Sequence, residues 1–303
     1  MAEMKRIFLF LCWVLSGWSI AKAESPAGRL AGKRVVFLGD SITQGGTYIS
    51  FISYYLQKLQ PEQDFDLYPL GLASETLSGL SEKGHAGGRF PRPCLFERLG
   101  RVLEKVKPEV VVACYGINCG IYQPLDEKRF GAFQGGVKRL VADCREAGVS
   151  QIYLVTPPIY DFQPKEGEFN YDTVMAAYAR WQLSLQEEGV TVIDLHRAMR
   201  RARDARAEPF SRDKIHPGPD GHFLMARTIL AGMGVAVPDQ EVAVVTKDPL
   251  FRKVDALRSF RSTAWMNHIG YTRQRKVEPA ELGDTEEQVA ARQREIDVLR
   301  RAK

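Results

Sequence analysis

Three polar residues stand where a nucleophile, a base and an orienting acid would be needed. Ser41 follows the apolar run RVVFLG (34–39) and Asp40, where a strand gives way to a helix. A hydroxyl placed there is exposed, and its own amide faces the same reaction centre. Serine is a weak nucleophile until a neighbour takes its proton, so Ser41 alone reads as a helix cap. His216 changes that reading. In DKIH it lies three residues after Asp213, a spacing at which a carboxylate reaches the imidazole across a tight turn, fixes its tautomer and stabilises the imidazolium. The other histidines fit less well: His85 and His222 lie in glycine-containing loops, and His196 and His268 have no acid three residues before them.

Such a set would move an acyl group through attack on a carbonyl, and the oxygen that becomes negative would need hydrogen-bond donors. Two candidates join the Ser41 amide. Gly71, at the end of a second apolar stretch, permits close backbone approach to a ligand, and Asn118, just after VVVAC, can extend a carboxamide N–H. No metal or organic cofactor is required by that chemistry.

The elements that must position these residues alternate along the chain. Apolar runs at 34–39, 65–71, 109–116, 151–158 and 190–195 read as strands. Between them, Ile49, Ile52, Leu56 and Leu59 fall at helical spacing, as do Phe130, Phe133, Val137, Leu140, Val141 and Cys144; a further helix is predicted over 172–188. Continuous apolar strands separated by helices require a sheet covered on both faces. The expectation is an α/β fold: a three-layer α/β/α sandwich with a central, mostly parallel five-stranded sheet. In such sheets ligands bind beyond the carboxyl ends of the strands, where Ser41, Gly71 and Asn118 all fall.

At 303 residues, 45% of them apolar, the chain can bury a sizeable core. Lys5 and Arg6 precede an apolar run shorter than the roughly 20 residues of a spanning helix, and AKA at 21–23 offers a cleavage site. The reading is a signal peptide over 1–23, a hydrolase-type domain over 24–237 and a C-terminal extension over 238–303 with a terminal helix packed on the core; the protein is expected to be exported, periplasmic or extracellular, without stable membrane insertion. The formal charge of +5 is no nucleic-acid footprint. Arg197, Arg200, Arg201, Arg203 and Arg206 read as a solvated helix face or, less simply, as a grip for an acidic sugar. Tyr122, Tyr160 and Phe162 follow strands three and four, either as packing or as a platform for a substrate ring. Cysteine pairing and oligomeric state are not readable here.

Gly39-Asp40-Ser41, Gly71, Gly116-x-Asn118 and Asp213-x-x-His216 resemble, in order, the four sequence blocks of the SGNH, or GDSL-type, hydrolases. The longer phrases GLASETLSGLSEKGHAGGRFPRP and YGINCGIYQP resemble secreted, uncharacterised planctomycete-type members. The resemblance implies a flavodoxin-like SGNH hydrolase fold, Ser41 as nucleophile, His216 as base with Asp213 as its orienter, and an oxyanion hole of Ser41, Gly71 and Asn118. It implies a serine esterase acting through an acyl-enzyme on a small-molecule or glycan ester, with carbohydrate deacetylation as the expectation. A lipolytic esterase or lysophospholipase, or a non-catalytic carbohydrate-binding protein on the same scaffold, are the alternatives. One departure stands out: Cys119 occupies the place where the family pattern usually has aspartate, which is expected to weaken loop support and not the reaction.

Overall fold

The computed structural model describes residues 30–302. The expected signal peptide therefore lies outside the described residues. Five strands form one sheet in the order β2-β1-β3-β4-β5: β1 (Arg34–Gly39), β2 (Asp66–Gly71), β3 (Val110–Cys114), β4 (Gln151–Val155) and β5 (Val190–Ile193). Every pairing among them is parallel. β1 is buried beyond its first residue and β3 throughout, which is why both read as unbroken apolar runs.

β1 to β2 steps one way across the sheet, while β3, β4 and β5 step the other. Right-handed crossovers then place the intervening helices on opposite faces. On one face α2 (Thr47–Leu59), which follows the short α1 (Ser41–Gly45), packs on α7 (Pro219–Gly232), with Phe51 and Phe223 ring centroids 5.2 Å apart. After α3 (Leu99–Val106), α4 (Glu127–Glu146) packs on α5 (Asp172–Leu183), with Phe133 stacked on Tyr178 at 4.1 Å and Trp181 in the same apolar cluster. The reversal of strand order falls between β1 and β3, the crevice where ligands bind in open sheets. Gly39 is in register with both Gly71 and Cys114. The first three strands thus end level, and their loops open on one edge.

Several boundaries differ from expectation: β3 and β4 end at Cys114 and Val155, short of 116 and 158. α5 stops at Leu183, not 188, where the Ser184 hydroxyl turns back to the Trp181 carbonyl at 2.7 Å. β5 stops at Ile193 because the Asp194 side chain accepts the Arg197 amide at 3.1 Å and caps α6 (Leu195–Asp204).

The chain beyond Pro238 packs against β2, one of the two edge strands of the sheet. After α8 (Val242–Lys247), α9 (Pro249–Ile269) lies against β2 and α2: Trp265 packs edge-on to Tyr68 at 4.9 Å, and Arg261 pairs with Asp66 at 2.6 Å. A small hairpin, β6 (Tyr271–Thr272) and β7 (Lys276–Val277), leads to α10 (Thr285–Arg301), which returns along α9 and bonds Gln57 through Arg300 at 2.7 Å. Among the described residues no helix is long and apolar enough to cross a membrane. Cys94, Cys114, Cys119 and Cys144 are free thiols, the last three buried.

Candidate active site

The turn from β1 into α1 leaves the Ser41 hydroxyl free. Asp40, not Ser41, is the helix cap: its side chain accepts the Ile42 amide at 3.0 Å. Asp40 is 2% exposed, and burial pushes its carboxyl up to about 7, opposed by the Ile42 hydrogen bond and by His216. The folded chain therefore holds this proton more tightly than the unfolded chain does. That stabilisation is fully present below about pH 4 and is lost as pH rises through about 7. The melting temperature should accordingly carry a component that declines over this range and vanishes in Asp40→Asn, since asparagine keeps the cap but cannot ionise. Identical pH profiles for the two proteins would remove Asp40 as its source.

Ser41 Oγ lies 2.7 Å from His216 Nε2, and His216 Nδ1 lies 2.6 Å from Asp213 Oδ2. The spacing of Asp213 and His216 works because the carboxylate folds its own turn: Oδ1 accepts the amides of Ile215 at 3.0 Å and His216 at 2.8 Å, with Lys214 between them at φ 72°. Against the upward pull of burial, the His216 hydrogen bonds hold the Asp213 carboxyl below the usual range. An ionised Asp213 can only accept, so Nδ1 carries the proton and Nε2 is free to accept from Ser41. The remaining histidines are engaged elsewhere. His222 stacks on Tyr48, and burial drives its pKa down to about 4; His268 bonds the Ala280 carbonyl at 2.6 Å.

Asn118 is 4% exposed. Its Oδ1 accepts from Arg92 Nη1 at 2.8 Å and from the Tyr122 hydroxyl at 3.1 Å, and its Nδ2 donates to the Glu75 carbonyl at 3.4 Å. Two donors on the oxygen fix which way the amide faces, leaving the second Nδ2 hydrogen unused. Arg92 is in turn held by Glu82 through contacts of 2.8 and 2.6 Å. Tyr122 thus positions Asn118, packs on Tyr171 at 4.9 Å and has the Arg92 guanidinium 5.2 Å from its ring centroid, so its ring is engaged in packing.

Gly71 ends β2, as the sequence places it, but it serves packing there. A Cβ on Gly71 would come 2.2 Å from the Gln44 amide nitrogen, so glycine is required there for α1 to lie against β2. The amide of Leu72 donates to Gly39 on β1 at 2.9 Å. Alternate amides of a strand point to opposite sides, so the Gly71 amide faces away from β1 and the nucleophile. The loop beyond supplies a better donor. The amide of Ala73 donates to Gln44 Oε1 at 2.8 Å, Glu75 to Leu72 O at 3.1 Å, Thr76 to Pro93 O at 3.0 Å and Leu77 to Cys119 Sγ at 3.3 Å. The Ser74 amide has no acceptor among the described residues. Ser74 also stands at φ 70°, a left-handed conformation that costs a non-glycine residue about 1–2 kcal/mol. A search for glycines passes over it; the residual sequence signal is only its place in the loop after the second strand.

Beneath that loop, Glu75 and Arg98 form an ion pair with no exposed side-chain surface. Arg98 Nε and Nη2 reach the two carboxylate oxygens at 2.7 Å each, Nη2 also bonds the Leu70 carbonyl at 2.8 Å, and the Tyr115 hydroxyl bonds Glu75 at 2.5 Å. Cys119 is fully buried and accepts the Leu77 amide, and burial pushes its thiol up to about 12. It supports the loop as a neutral acceptor and is no nucleophile at neutral pH. Four of the five arginines in that stretch, Arg201 excepted, form ion pairs among the described residues: Arg197 with Asp194 at 2.9 Å, Arg200 with Asp172 at 3.0 Å, Arg203 with Asp161 at 2.6 Å and Arg206 with Asp220 at 3.2 Å. A cleft of about 550 Å³ adjoins His216 and Asp213, walled by Arg206, Phe210, Arg212 and Asp220.

Residues 37–224 match the GDSL-like Lipase/Acylhydrolase family. Among solved structures, a variant of an acetyl xylan esterase from Geobacillus stearothermophilus aligns at TM-score 0.56 and 20% identity, covering 69% of this chain and 98% of that one. An alpha/beta hydrolase enzyme from the metagenome of Lake Arreo, Spain, aligns at TM-score 0.52 and 22% identity over 69% of this chain and 98% of that one. A gut microbial diltiazem-metabolizing enzyme aligns at TM-score 0.52 and 20% identity over 67% of this chain and 47% of its own. No curated protein matches the chain. At these identities the structural likeness establishes the fold.

Proposed function

Because the chain belongs to the GDSL-like Lipase/Acylhydrolase family and is an ester-bond hydrolase of that fold, we propose that it works as a serine esterase through an acyl-enzyme. The observation that carries this reading is the unbroken chain from Ser41 through His216 to Asp213, with contacts of 2.7 and 2.6 Å. Ser41 Oγ attacks the ester carbonyl as its proton passes to His216 Nε2, and Asp213 stabilises the imidazolium. The oxyanion is held by the Ser41 amide, the Asn118 carboxamide and the Ser74 amide, which takes the role the sequence assigned to Gly71. His216 then protonates the departing alkoxide, accepts a proton from water, and so delivers the hydroxide equivalent that releases the acid and restores Ser41.

For the substrate we favour acetyl esters of carbohydrates. The cleft beside His216 is walled by Arg206, Arg212 and Asp220 together with Phe210, Pro209 and Pro219, a mixed lining that offers a sugar ring both polar partners and an apolar face, and acetyl xylan esterases share the fold. A basic and apolar leader at residues 1–23 supports export to where such polymers occur. The test compares nitrophenyl esters of increasing acyl length and acetate release from acetylated glycans. The expected kcat/KM for acetyl exceeds that for octanoyl by about tenfold or more. A preference for chains beyond about eight carbons would favour the lipolytic alternative, and absence of turnover on every ester would favour a binding role.

A further inference from the structure

The family match ends at residue 224, yet a residue well beyond it reaches the loop that carries Ser74. Arg273, in the turn of the β6–β7 hairpin, donates from Nε to the Ala73 carbonyl at 3.1 Å. The Ala73 carbonyl and the Ser74 amide belong to one peptide group, and no peptide bond among the described residues is cis. In a trans peptide C=O and N–H point in opposite directions. A donor fixed on the oxygen therefore turns the N–H away from the hairpin, and a cationic donor also strengthens that N–H as a donor.

The hairpin is anchored well enough to do this. Arg101 of α3 bonds the carbonyls of Ile269 at 2.8 Å and Gly270 at 3.1 Å, and Lys105 bonds that of His268 at 2.8 Å. Arg273 itself lies over the Phe90 ring, 5.2 Å from its centroid. The amide of Ala73 is held by Gln44, so Ala73 is fixed at both its N–H and its C=O immediately before the left-handed Ser74.

We propose that Arg273 is a positioning residue for ester hydrolysis: its guanidinium holds the Ala73–Ser74 peptide so that the Ser74 N–H faces the developing oxyanion. The inference rests on the serine-esterase reading above. It makes the segment after residue 224 part of the working site, and the matched region alone an incomplete catalyst.

The experiment measures kcat and KM on nitrophenyl acetate, affinity for a boronic acid that adds to the serine as a transition-state mimic, and melting temperature, all on the full chain. Arg273→Met keeps the stem over Phe90 and removes the donor; Arg273→Lys keeps a cationic donor. The expected result for Arg273→Met is a fall in kcat of about 100-fold with KM within about twofold, a parallel loss of boronate affinity, an unchanged melting temperature, and substantial recovery in Arg273→Lys. Should the methionine variant not fold, Arg273→Leu, which also lacks a donor, carries the same comparison. Unchanged kcat, or a loss that follows the melting temperature and spares boronate affinity, overturns the proposal. Ser41→Ala separates the two levels: if it retains turnover, the serine reading fails, whereas an inert Ser41→Ala beside a fully active Arg273→Met sinks only this inference.

Discussion

Ser41→Ala is expected to lower ester turnover by about 10⁴- to 10⁶-fold while leaving the fold intact. The size follows from what the hydroxyl does: without it no acyl-enzyme forms, and only water attack assisted by the oxyanion donors remains. The fold should be indifferent because the Ser41 side chain bonds only His216, and the cap of α1 is provided by Asp40. His216→Gln should fall within about tenfold of the same level, because a nucleophile and its base act as one unit. Rates on nitrophenyl acetate, circular dichroism of both variants, and mass mapping of a fluorophosphonate adduct check this together. A labelled wild-type protein whose adduct lies anywhere but Ser41, or an alanine variant that keeps a tenth of the activity, would end the mechanism proposed here.

Arg98→Met is expected to destabilise the protein by about 3–5 kcal/mol, among the largest single-residue effects on the fold. The pair it breaks has no exposed side-chain surface on either member. Removing the cation leaves Glu75 a buried charge whose remaining partner is the Tyr115 hydroxyl. At about 2–4 °C per kcal/mol for a domain of this size, the melting temperature should drop by roughly 10 °C. The double variant Arg98→Met/Glu75→Gln should recover much of the loss, since both charges then go together. Glu75 follows Ser74 directly, so residual activity of the single variant should decline before the protein melts. A drop smaller than about 2 °C would mean that the pair is not the prop beneath this loop.

Much of this molecule is legible in one dimension. The central strands announce themselves because a parallel sheet buried on both faces leaves no room for polar alternation: β1 and β3 are apolar along almost their whole length. Boundaries were less legible because they depend on single hydrogen bonds, such as Asp194 turning from strand to cap. The Asp213–His216 pair was visible because the two residues lie within one turn, so their contact is local. Ser41 was visible as a residue at a strand end. Its freedom from capping was not, because the choice between Asp40 and Ser41 as cap is made by backbone geometry.

The oxyanion donors lay furthest from the sequence. Glycine marks a place where a side chain cannot fit, and at Gly71 the excluding atoms belong to the Gln44 and Thr43 backbone, a packing constraint and not a binding one. The donor that stands free, Ser74, is defined by what its neighbours are bonded to, and those acceptors come from Gln44, Leu72, Pro93 and Cys119. The supports behind the site are long-range in the same way: Arg92 reaches Asn118 across 26 positions, Arg98 reaches Glu75 across 23, and Arg273 reaches Ala73 across 200. By itself, then, the sequence determined the layers and most strand positions and singled out Ser41, His216 and Asp213 as the candidate triad, since these follow from local periodicity and spacing. Only the tertiary structure decided which amides of the loop after β2 are left unbonded and what holds their neighbours, because an amide's direction is set by partners that the chain brings together only on folding.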